Sequence, residues 1–260
     1  QRLAYYSYPM NGSHAAYERS DTQSRVLQRV FAEHSNDTGE RTLPKIISLF
    51  SGAGGLDLGF QQAGFPLSFA ADISPSAINT HRRNFRKTLA VVADLTELGP
   101  NGVLSYLDPI LSDGERIGVI GGPPCQGFSR GNTQSETNDP RNQLPLLYLQ
   151  IVEALQEKYT VEFVLFENVL GIRDSKHLTT FNGILEKFSD IQLTANAEVY
   201  SALDYGIPQK RNRVIITGFR NKSVAQAFKP LKVQSNKLTV RAAIEGLPDP
   251  AYFARGLERS

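Results

Sequence analysis

The chain has 260 residues, of which 28 are Lys or Arg and 26 are Asp or Glu, so its net charge is +2. With 40% hydrophobic and 21% charged residues, its composition is that of an ordinary globular protein and excludes the disordered and fibrous classes. A single cysteine, Cys125, excludes an internal disulfide framework and a thiolate-rich zinc site. No metal site is predicted, because ligand spacing is absent from the histidines, which are His14, His34, His81 and His177.

The basic residues are concentrated in one segment. Nine of them, and no Asp or Glu, lie between Tyr205 and Arg241. The remaining 19 basic residues are outnumbered by 26 acidic ones, so the rest of the chain has a net charge of −7. Charge segregated in this way can concentrate positive potential on one face of a protein. The pattern predicts either a solvated basic surface or a face that binds an anionic partner.

The first 44 residues differ in pattern from the rest of the chain. An irregular, Tyr-containing arm is followed by a segment with apolar residues at helical spacing, Arg25–His34. A polar stretch that contains Gly, Ser35–Arg41, is typical of a linker. We therefore expect an N-terminal arm, helix and linker over residues 1–44 and one main domain over residues 45–260.

From Lys45 onward, short apolar runs alternate with helical patterns. The predicted strands are Ile46–Phe50, Leu67–Ala71, Leu89–Ala93, Gly118–Ile120, Phe163–Phe166, Ala197–Tyr200 and Val214–Phe219. The predicted helices are Leu56–Ala63, Pro75–Phe85, Asn101–Leu111, Leu144–Lys158 and His177–Phe188. Continuous apolar runs are typical of buried parallel strands, and their alternation with helices predicts an α/β fold with a doubly wound, mostly parallel sheet.

A glycine-rich turn follows the first predicted strand, where ligands of such sheets bind. Its glycines, from Gly52 to Gly55, allow a ligand to approach the backbone at the start of a helix. The turn is not a P-loop, because no Gly-Lys-Ser/Thr follows it. Asp57 stands where a dinucleotide-binding turn would have its third Gly.

Two acidic residues end the next two predicted strands. Asp72 lies 20 residues after Gly52, a spacing at which a carboxylate typically accepts hydrogen bonds from ribose hydroxyls. Asp94 follows the third strand, where it could contact an adenine edge. With the glycine-rich turn, these residues predict a cofactor that contains adenosine. Alternatively, Asp72 and Asp94 cap the helices that follow them.

Candidate catalytic groups follow the fourth and fifth predicted strands and precede the last one. Cys125 comes after a Pro-Pro pair between glycines, where a fixed backbone suits a nucleophile, although a lone cysteine is usually a small buried residue. Glu167 ends the apolar fifth strand and could act as an acid. Arg211 and Arg213 alternate, so in an extended segment both point to one side. Either could be a surface charge.

Together and in this order, these motifs resemble the DNA (cytosine-5)-methyltransferase family. The resemblance runs from about Lys45 to Pro248, and its Pro-Cys-Gln-Gly-Phe-Ser and Glu-Asn-Val elements are specific in combination. The stretches that carry it are Ile47–Phe60, Asp72–Ala77, Ala93–Thr96, Gly121–Ser129, Asp139–Leu144, Glu167–Val169 and Asp204–Val214. It implies a Rossmann-like S-adenosylmethionine-dependent methyltransferase fold, with the catalytic domain over residues 45–260.

The resemblance implies transfer of a methyl group from S-adenosylmethionine to C5 of a cytosine flipped out of duplex DNA, with S-adenosylhomocysteine as product. Cys125 is implied as the nucleophile that adds to C6 of the base. Glu167 is implied to hydrogen-bond N3. Arg213, supported by Arg211, is implied to contact the cytosine carbonyl and to orient Glu167.

The resemblance also implies which residues bind the cofactor. Asp72 would hold the ribose with a shorter arm than the Glu that is common in the family. Ile73 would pack on the adenine, and Asp94 would contact its amino group. The loop Phe128–Asn142 would close over the DNA, and the basic segment would contact phosphates. The complete set of implied cofactor residues is Phe50, Gly52, Ala53, Gly55, Asp72, Ile73, Asp94, Leu95, Pro124 and Leu144.

Full-length members of the family carry a target-recognition region and two further motifs after the last motif matched here. The chain stops at Ser260, so we expect either a truncated enzyme or one subunit that a second chain completes. The expected partner is double-stranded DNA, in a prokaryotic restriction-modification system of the cytoplasm. Alternatives are a tRNA cytosine-5 methyltransferase and a cofactor-binding subunit without catalytic activity.

Overall fold

Seven strands form one sheet in the computed structural model, which describes residues 42–124, 143–230 and 239–245. The predictions for a helix at residues 25–34, for Cys125 and for the loop 128–142 concern residues outside these ranges. The strands are β1 (Lys45–Leu49), β2 (Leu67–Asp72), β3 (Leu89–Val92), β4 (Arg116–Gly121), β5 (Thr160–Asn168), β6 (Thr194–Ser201) and β7 (Asn212–Phe219).

The sheet has the order β3-β2-β1-β4-β5-β7-β6. Strands β1 to β5 pair in parallel, whereas β7 runs antiparallel to both of its neighbours, β5 and β6. Each predicted strand is present, and its ends differ from the prediction by three residues at most. The prediction of a mostly parallel, doubly wound sheet is therefore confirmed.

Helices connect the strands and cover both faces of the sheet. They are α1 (Gly55–Gln62), α2 (Pro75–Asn84), α3 (Leu95–Leu107), α4 (Leu144–Lys158), α5 (Leu178–Asp190), α6 (Lys222–Ala227) and α7 (Val240–Ile244). Helix α3 begins six residues before the predicted start at Asn101. Gly99 has non-helical angles, φ 61° and ψ −178°, so this range is broken there, and the helical segment after the break begins at Pro100, one residue before the predicted start.

Two hydrophobic clusters lie on opposite faces of the sheet. In β1, Ile47 and Leu49 belong to the larger cluster with residues of α3, α4 and α5, whereas Ile46 belongs to a second cluster. That second cluster includes residues of α1 and α6. Alternate residues of one strand thus face different helical layers, which explains why the buried strands are mostly apolar on both faces, with Ser48 as a polar exception in β1.

The topology brings the predicted site residues that the structure describes to one end of the strands, which is called the site edge below. The carboxyl ends of β1 to β5 meet at this edge, which is where parallel sheets bind ligands. Because β7 is antiparallel and pairs Val214 with Asn168, its first residues lie at the same edge. In the described part of the chain, no helix has the length and apolar character that crossing a membrane requires.

Candidate active site

The turn between β1 and α1 has an unusual backbone. Phe50, Gly52 and Gly54 all have positive φ, at 54°, 56° and 90°. A side chain at Gly54 would collide with the rings of Phe85 and His81, because its Cβ would lie 2.3 and 2.8 Å from them. By contrast, a Cβ at Gly52 would meet no atom within 4 Å. One side of the turn is therefore packed against the protein, and the other side is open to a ligand.

Asp72 holds this turn against the end of β2. Its Oδ2 accepts a hydrogen bond of 2.8 Å from the amide of Gly52, and its Oδ1 accepts one of 2.9 Å from the amide of Ser74. A carboxylate has about four lone-pair sites, so each oxygen can accept a further hydrogen bond from a ligand. Asp72 does not cap the next helix, because Ser74 caps α2 through a bond from the amide of Ala77.

Asp94 does cap a helix. Its Oδ1 accepts hydrogen bonds from the hydroxyl and the amide of Thr96, at 2.6 and 2.8 Å, at the start of α3. These bonds lower the pKa of Asp94 from its usual value. The prediction that these residues cap helices therefore holds for Asp94 and not for Asp72. Both hydrogen bonds from Thr96 go to Oδ1 of Asp94, and neither involves Oδ2.

An apolar surface lies beside Asp72. The side chain of Ile73, which directly follows β2, is 64% exposed. An exposed isoleucine next to a hydrogen-bonding carboxylate and an open glycine turn fits a ligand with a flat apolar group and a ribose. Leu95 differs from Ile73, because its side chain is only 2% exposed and packs in the core.

A carboxylate held by two arginines forms the other half of the site. At the end of β5, Oε1 of Glu167 lies 2.8 Å from Nε of Arg213 and 3.4 Å from Nη2 of Arg211. The antiparallel pairing of β5 and β7 brings these residues together, since Glu167 lies opposite Ile215. Both guanidinium groups reach the same oxygen, as the alternation of Arg211 and Arg213 in an extended segment predicts.

The segment that leads to Cys125 passes directly beside Glu167. A Cβ at Gly122 would lie 3.0 Å from Oε2 of Glu167, so the glycine leaves room for the carboxylate. The buried side chain of Asn168 donates a hydrogen bond of 3.3 Å to the carbonyl of Pro123. Cys125 follows Pro124 in the sequence and lies outside the described residues.

Sequence reasoning did not single out Gly122 or Asn168 as site residues. Both contacts join the loop after β4 to the end of β5, and the register of these strands creates them. Only their position in the sequence could have indicated them as site residues, because Gly122 precedes the predicted nucleophile and Asn168 follows the predicted acid. In the described ranges, no group of three or more His, Cys, Asp or Glu residues could hold a metal ion.

Comparison with known families shows to which one the chain belongs. The family model described as C-5 cytosine-specific DNA methylase matches residues 44–252, which is most of the chain. This chain is a member of the C-5 cytosine-specific DNA methylase family. The match includes both halves of the site, from the glycine-rich turn to the arginine pair.

Curated relatives of this methylase are Type II methyltransferases. M.XorII of Xanthomonas oryzae pv. oryzae is 37% identical over 222 residues, which are 84% of this chain and 50% of M.XorII. M.MthTI of Methanothermobacter thermautotrophicus is 37% identical over 210 residues, which are 79% of this chain and 57% of M.MthTI. The chain thus spans about half the length of these relatives.

Solved structures agree with this assignment. A protein described as a DNA modification methyltransferase encoded within an E. coli prophage is 35% identical, with a TM-score of 0.65 over 80% of this chain and 56% of that one. Spodoptera frugiperda DNMT2 is 25% identical, with a TM-score of 0.52 over 76% of this chain and 55% of that one.

The basic segment of the methylase does not form a single face beside the site. Arg213 lies at the site edge, but the amide of Arg220 donates a hydrogen bond to the carbonyl of Glu162 near the other end of β5. Strand β7 separates the two arginines by roughly 23 Å, at about 3.3 Å per residue. Lys222 and Lys229 follow Arg220 at the far edge. The segregated charge is therefore not concentrated on one face among these residues.

Proposed function

We propose that this chain is the catalytic part of a DNA (cytosine-5)-methyltransferase that transfers a methyl group from S-adenosylmethionine to C5 of cytosine in duplex DNA. One observation carries the proposal. The carboxylate of Glu167 is held 2.8 Å from Arg213, beside the Gly122–Pro123 backbone that leads to Cys125. Together with the thiol of Cys125, which follows this backbone in the sequence, an acid and a guanidinium are the groups that activation of a cytosine ring requires.

The turn at residues 50–55 is the proposed site for the methyl donor. S-adenosylmethionine, when bound, supplies a methyl group on a sulfonium sulfur. Asp72 has hydrogen-bonding capacity left for the ribose, the exposed Ile73 would pack on the adenine, and Asp94 would contact its amino group. The rest of the proposed donor surface consists of Phe50, Gly52, Ala53, Gly55, Leu95, Pro124 and Leu144.

Three side chains act on the cytosine in this proposal, and a fourth supports one of them. The thiolate of Cys125 forms a bond to C6, which breaks the C5=C6 double bond and makes C5 nucleophilic. Glu167, protonated or sharing a proton with the base, hydrogen-bonds N3 and stabilises the charge that develops on the ring. Arg213 contacts the cytosine carbonyl, and Arg211 helps to hold Glu167. Once C5 carries the methyl group, loss of the C5 proton restores the double bond and expels Cys125.

The substrate context follows from the relatives. Their description as Type II methyltransferases supports a role in a prokaryotic restriction-modification system, in which the protein acts on chromosomal DNA in the cytoplasm. The target base must leave the duplex, because Cys125 cannot reach C6 of a stacked cytosine. Since the chain spans about half of these relatives, we propose that other residues or a second chain read the DNA sequence.

Transfer of labelled methyl groups tests this proposal. Duplex DNA and tRNA are compared as substrates, with and without a fragment that supplies the part of M.XorII that this chain does not match. We expect methylation of duplex DNA, a covalent adduct with DNA that contains 5-fluorocytosine, and loss of both in Cys125→Ala. The rate should fall by about 10³-fold or more in that variant.

Three outcomes would contradict the proposal. Methylation of tRNA but not of DNA would change the substrate class. Donor binding without any adduct, even with the supplied fragment, would make the chain a cofactor-binding subunit. Full activity of Cys125→Ala would exclude the covalent mechanism.

A further inference from the structure

Three buried polar residues beneath the glycine-rich turn form one hydrogen-bonded chain. The hydroxyl of Ser48 donates to Oδ2 of Asp57 at 2.9 Å, and Nε2 of His81 lies 3.0 Å from Oδ1 of Asp57. Asp57 and His81 are fully buried, and Ser48 is 1% exposed. Because a carboxylate only accepts hydrogen bonds, the network assigns the proton on this side of the ring to Nε2.

This chain of hydrogen bonds joins the elements on either side of the proposed donor site. Ser48 lies in β1, Asp57 in the first turn of α1 and His81 in α2. The turn at residues 51–54 lies between β1 and α1, and Asp72 lies just before α2. The Asp57–His81 pair therefore adds a third link between two segments that also meet through hydrogen bonds from the amide of Ser51 to the carbonyl of Ala71, at 3.0 Å, and from the amide of Gly52 to Asp72.

His81 also supports the turn directly. Its Cδ2 lies 2.8 Å from the position that a Cβ of Gly54 would occupy, so the imidazole lies against the backbone of Gly54. The ring of Phe85 stacks beside His81 with a centroid distance of 4.4 Å. Together the two rings form the surface on which the packed side of the turn rests.

Packing alone does not explain these residue types. Burial of a carboxylate and an imidazole costs free energy that apolar side chains of similar volume would avoid. In the part of the chain that the structure describes, Nδ1 of His81 is buried and has no hydrogen-bond partner, which adds to this cost. Asp57 is also the residue that stands where a dinucleotide-binding turn would have a glycine.

We propose that Asp57 and His81 are positioning residues for the methyl donor. The pair locks the turn onto α2, so that the Gly52 amide stays directed at Asp72 and the donor meets a surface that is already formed. Binding then does not have to order the turn, which strengthens affinity without any contact between the pair and the donor. The inference rests on the proposed function, in which this turn binds S-adenosylmethionine.

The test compares His81→Leu with Ile78→Ala in the whole chain. Ile78 is a matched control, because it is fully buried in the same helix but packs against Ala70 and Ala90, away from the turn. Calorimetric titration with S-adenosylhomocysteine gives Kd, and thermal melting gives Tm. We expect His81→Leu to raise Kd about tenfold, as for loss of one hydrogen bond to a charged group, and Ile78→Ala to lower Tm with Kd unchanged within twofold.

Two further variants keep the inference testable if the leucine variant does not fold. His81→Gln retains an N–H near the position of Nε2, so its Kd should stay within about twofold of the wild type. His81→Asn is too short to reach Asp57 and should raise Kd as His81→Leu does. Equal Kd values for the wild type and His81→Asn, or equal Kd increases in His81→Asn and Ile78→Ala, would overturn the inference.

Amide hydrogen exchange separates this inference from the proposed function. Without any donor, His81→Asn should speed exchange at Gly52 and Gly54 about tenfold, whereas Ile78→Ala should leave both amides unchanged. Unchanged exchange in His81→Asn would overturn the inference even if the donor binds. A wild-type chain that does not bind S-adenosylhomocysteine would overturn the proposed cofactor and the positioning role together, whatever the exchange shows.

Discussion

Two glycines at the site edge, Gly52 and Gly122, have different structural roles. At Gly52 a side chain would meet open space, so this residue leaves the turn accessible and supplies a positive φ. At Gly122 a side chain would meet Oε2 of Glu167 at 3.0 Å, so this residue sets how closely the acid approaches the segment before Cys125. The two glycines thus control access for the donor and the position of the acid.

Replacement of Gly122 by Ala should therefore impair catalysis more than stability. The added methyl group pushes the Glu167 carboxylate by a few tenths of an ångström, and its 2.8 Å bond to Arg213 resists this shift. Because small misplacement of a catalytic group is costly, we expect methyl transfer to slow by about tenfold or more. Glu167 is partly exposed and can adjust, so Tm should change by only a few degrees.

Gly183→Ala is the matched control for this prediction. Gly183 lies within α5, and a Cβ there would meet no atom within 4 Å. An alanine in a helix should stabilise the protein by about 0.5–1 kcal/mol and leave the methylation rate unchanged. A Gly122→Ala variant with a rate within twofold of the wild type would show that Glu167 does not depend on the space beside Gly122.

Helix α4 connects the catalytic strands to the rest of the protein. Near its start, the buried hydroxyl of Tyr148 lies 3.1 Å from the carbonyl of Val119 and 3.0 Å from that of Leu165. These carbonyls belong to β4 and β5, the strands that lead to Cys125 and end near Glu167. At the other end of α4, the hydroxyl of Tyr159 donates to Asp108, which follows α3. One helix thus holds both catalytic strands and the neighbouring helix.

The contact between Tyr159 and Asp108 predicts how stability depends on pH. Burial, and then the hydrogen bond to Asp108, raise the pKa of Tyr159 from 10.0 to about 12. A folded-state pKa above the unfolded value means that this contribution is fully present below about pH 10 and is lost as pH rises towards 12. Tyr159→Phe should thus be about 0.5–1.5 kcal/mol less stable than the wild type at pH 8.

Denaturant unfolding from pH 8 to pH 12 checks this prediction. The difference in unfolding free energy between the wild type and Tyr159→Phe should shrink as pH passes 10, because only the wild type loses stability at Tyr159. Other groups titrate in both proteins and cancel in the difference. A difference that stays constant up to pH 12 would mean that Tyr159 titrates alike in the folded and unfolded chains.

The elements differ in how far the sequence could predict them. Strands such as β4 are bounded apolar runs, so local pattern was sufficient to locate them. The direction of β7 was not predictable in this way, because an apolar run carries no information about whether its neighbour is parallel. The break in α3 at Gly99 was predictable, because Gly and Pro are typical helix breakers, whereas the helical turn that precedes it, from Leu95, was not predicted.

Local sequence pattern also predicts only some of the side-chain contacts in the site. Glu167 and the arginine pair were predictable, because their residue types and their places beside strands suggest chemistry. The Asp57–His81 pair was not, since its residues lie 24 positions apart and meet only when α1 and α2 pack together. Local sequence also could not show that Asp94 caps a helix while Asp72 joins two loops. Such contacts depend on packing rather than on spacing.

At the scale of the whole molecule, the basic residues that the structure describes between Tyr205 and Pro230 separate into two groups. Lys210 is exposed in the loop before β7, beside Arg211 at the site edge. Lys222 and Lys229 are exposed at the other end of the strands, away from the site edge. Both groups raise the net charge equally, but only the first lies where the proposed function places the DNA. Position, rather than total charge, should therefore decide which lysines contribute to binding.

Lys210→Ala and Lys222→Ala test this division, since each removes one exposed positive charge. A lysine that contacts a phosphate releases about 0.9 counterions on binding, so Lys210→Ala should weaken DNA binding and reduce the slope of log K against log salt by about 0.9. Lys222→Ala should leave affinity and slope unchanged. Fluorescence anisotropy with a labelled duplex, at several salt concentrations between about 50 and 200 mM, measures both quantities. Equal losses of DNA affinity in the two variants would mean that the end of the strands near Lys222 also binds DNA. A loss of affinity in Lys222→Ala alone would mean that the duplex binds at that end instead.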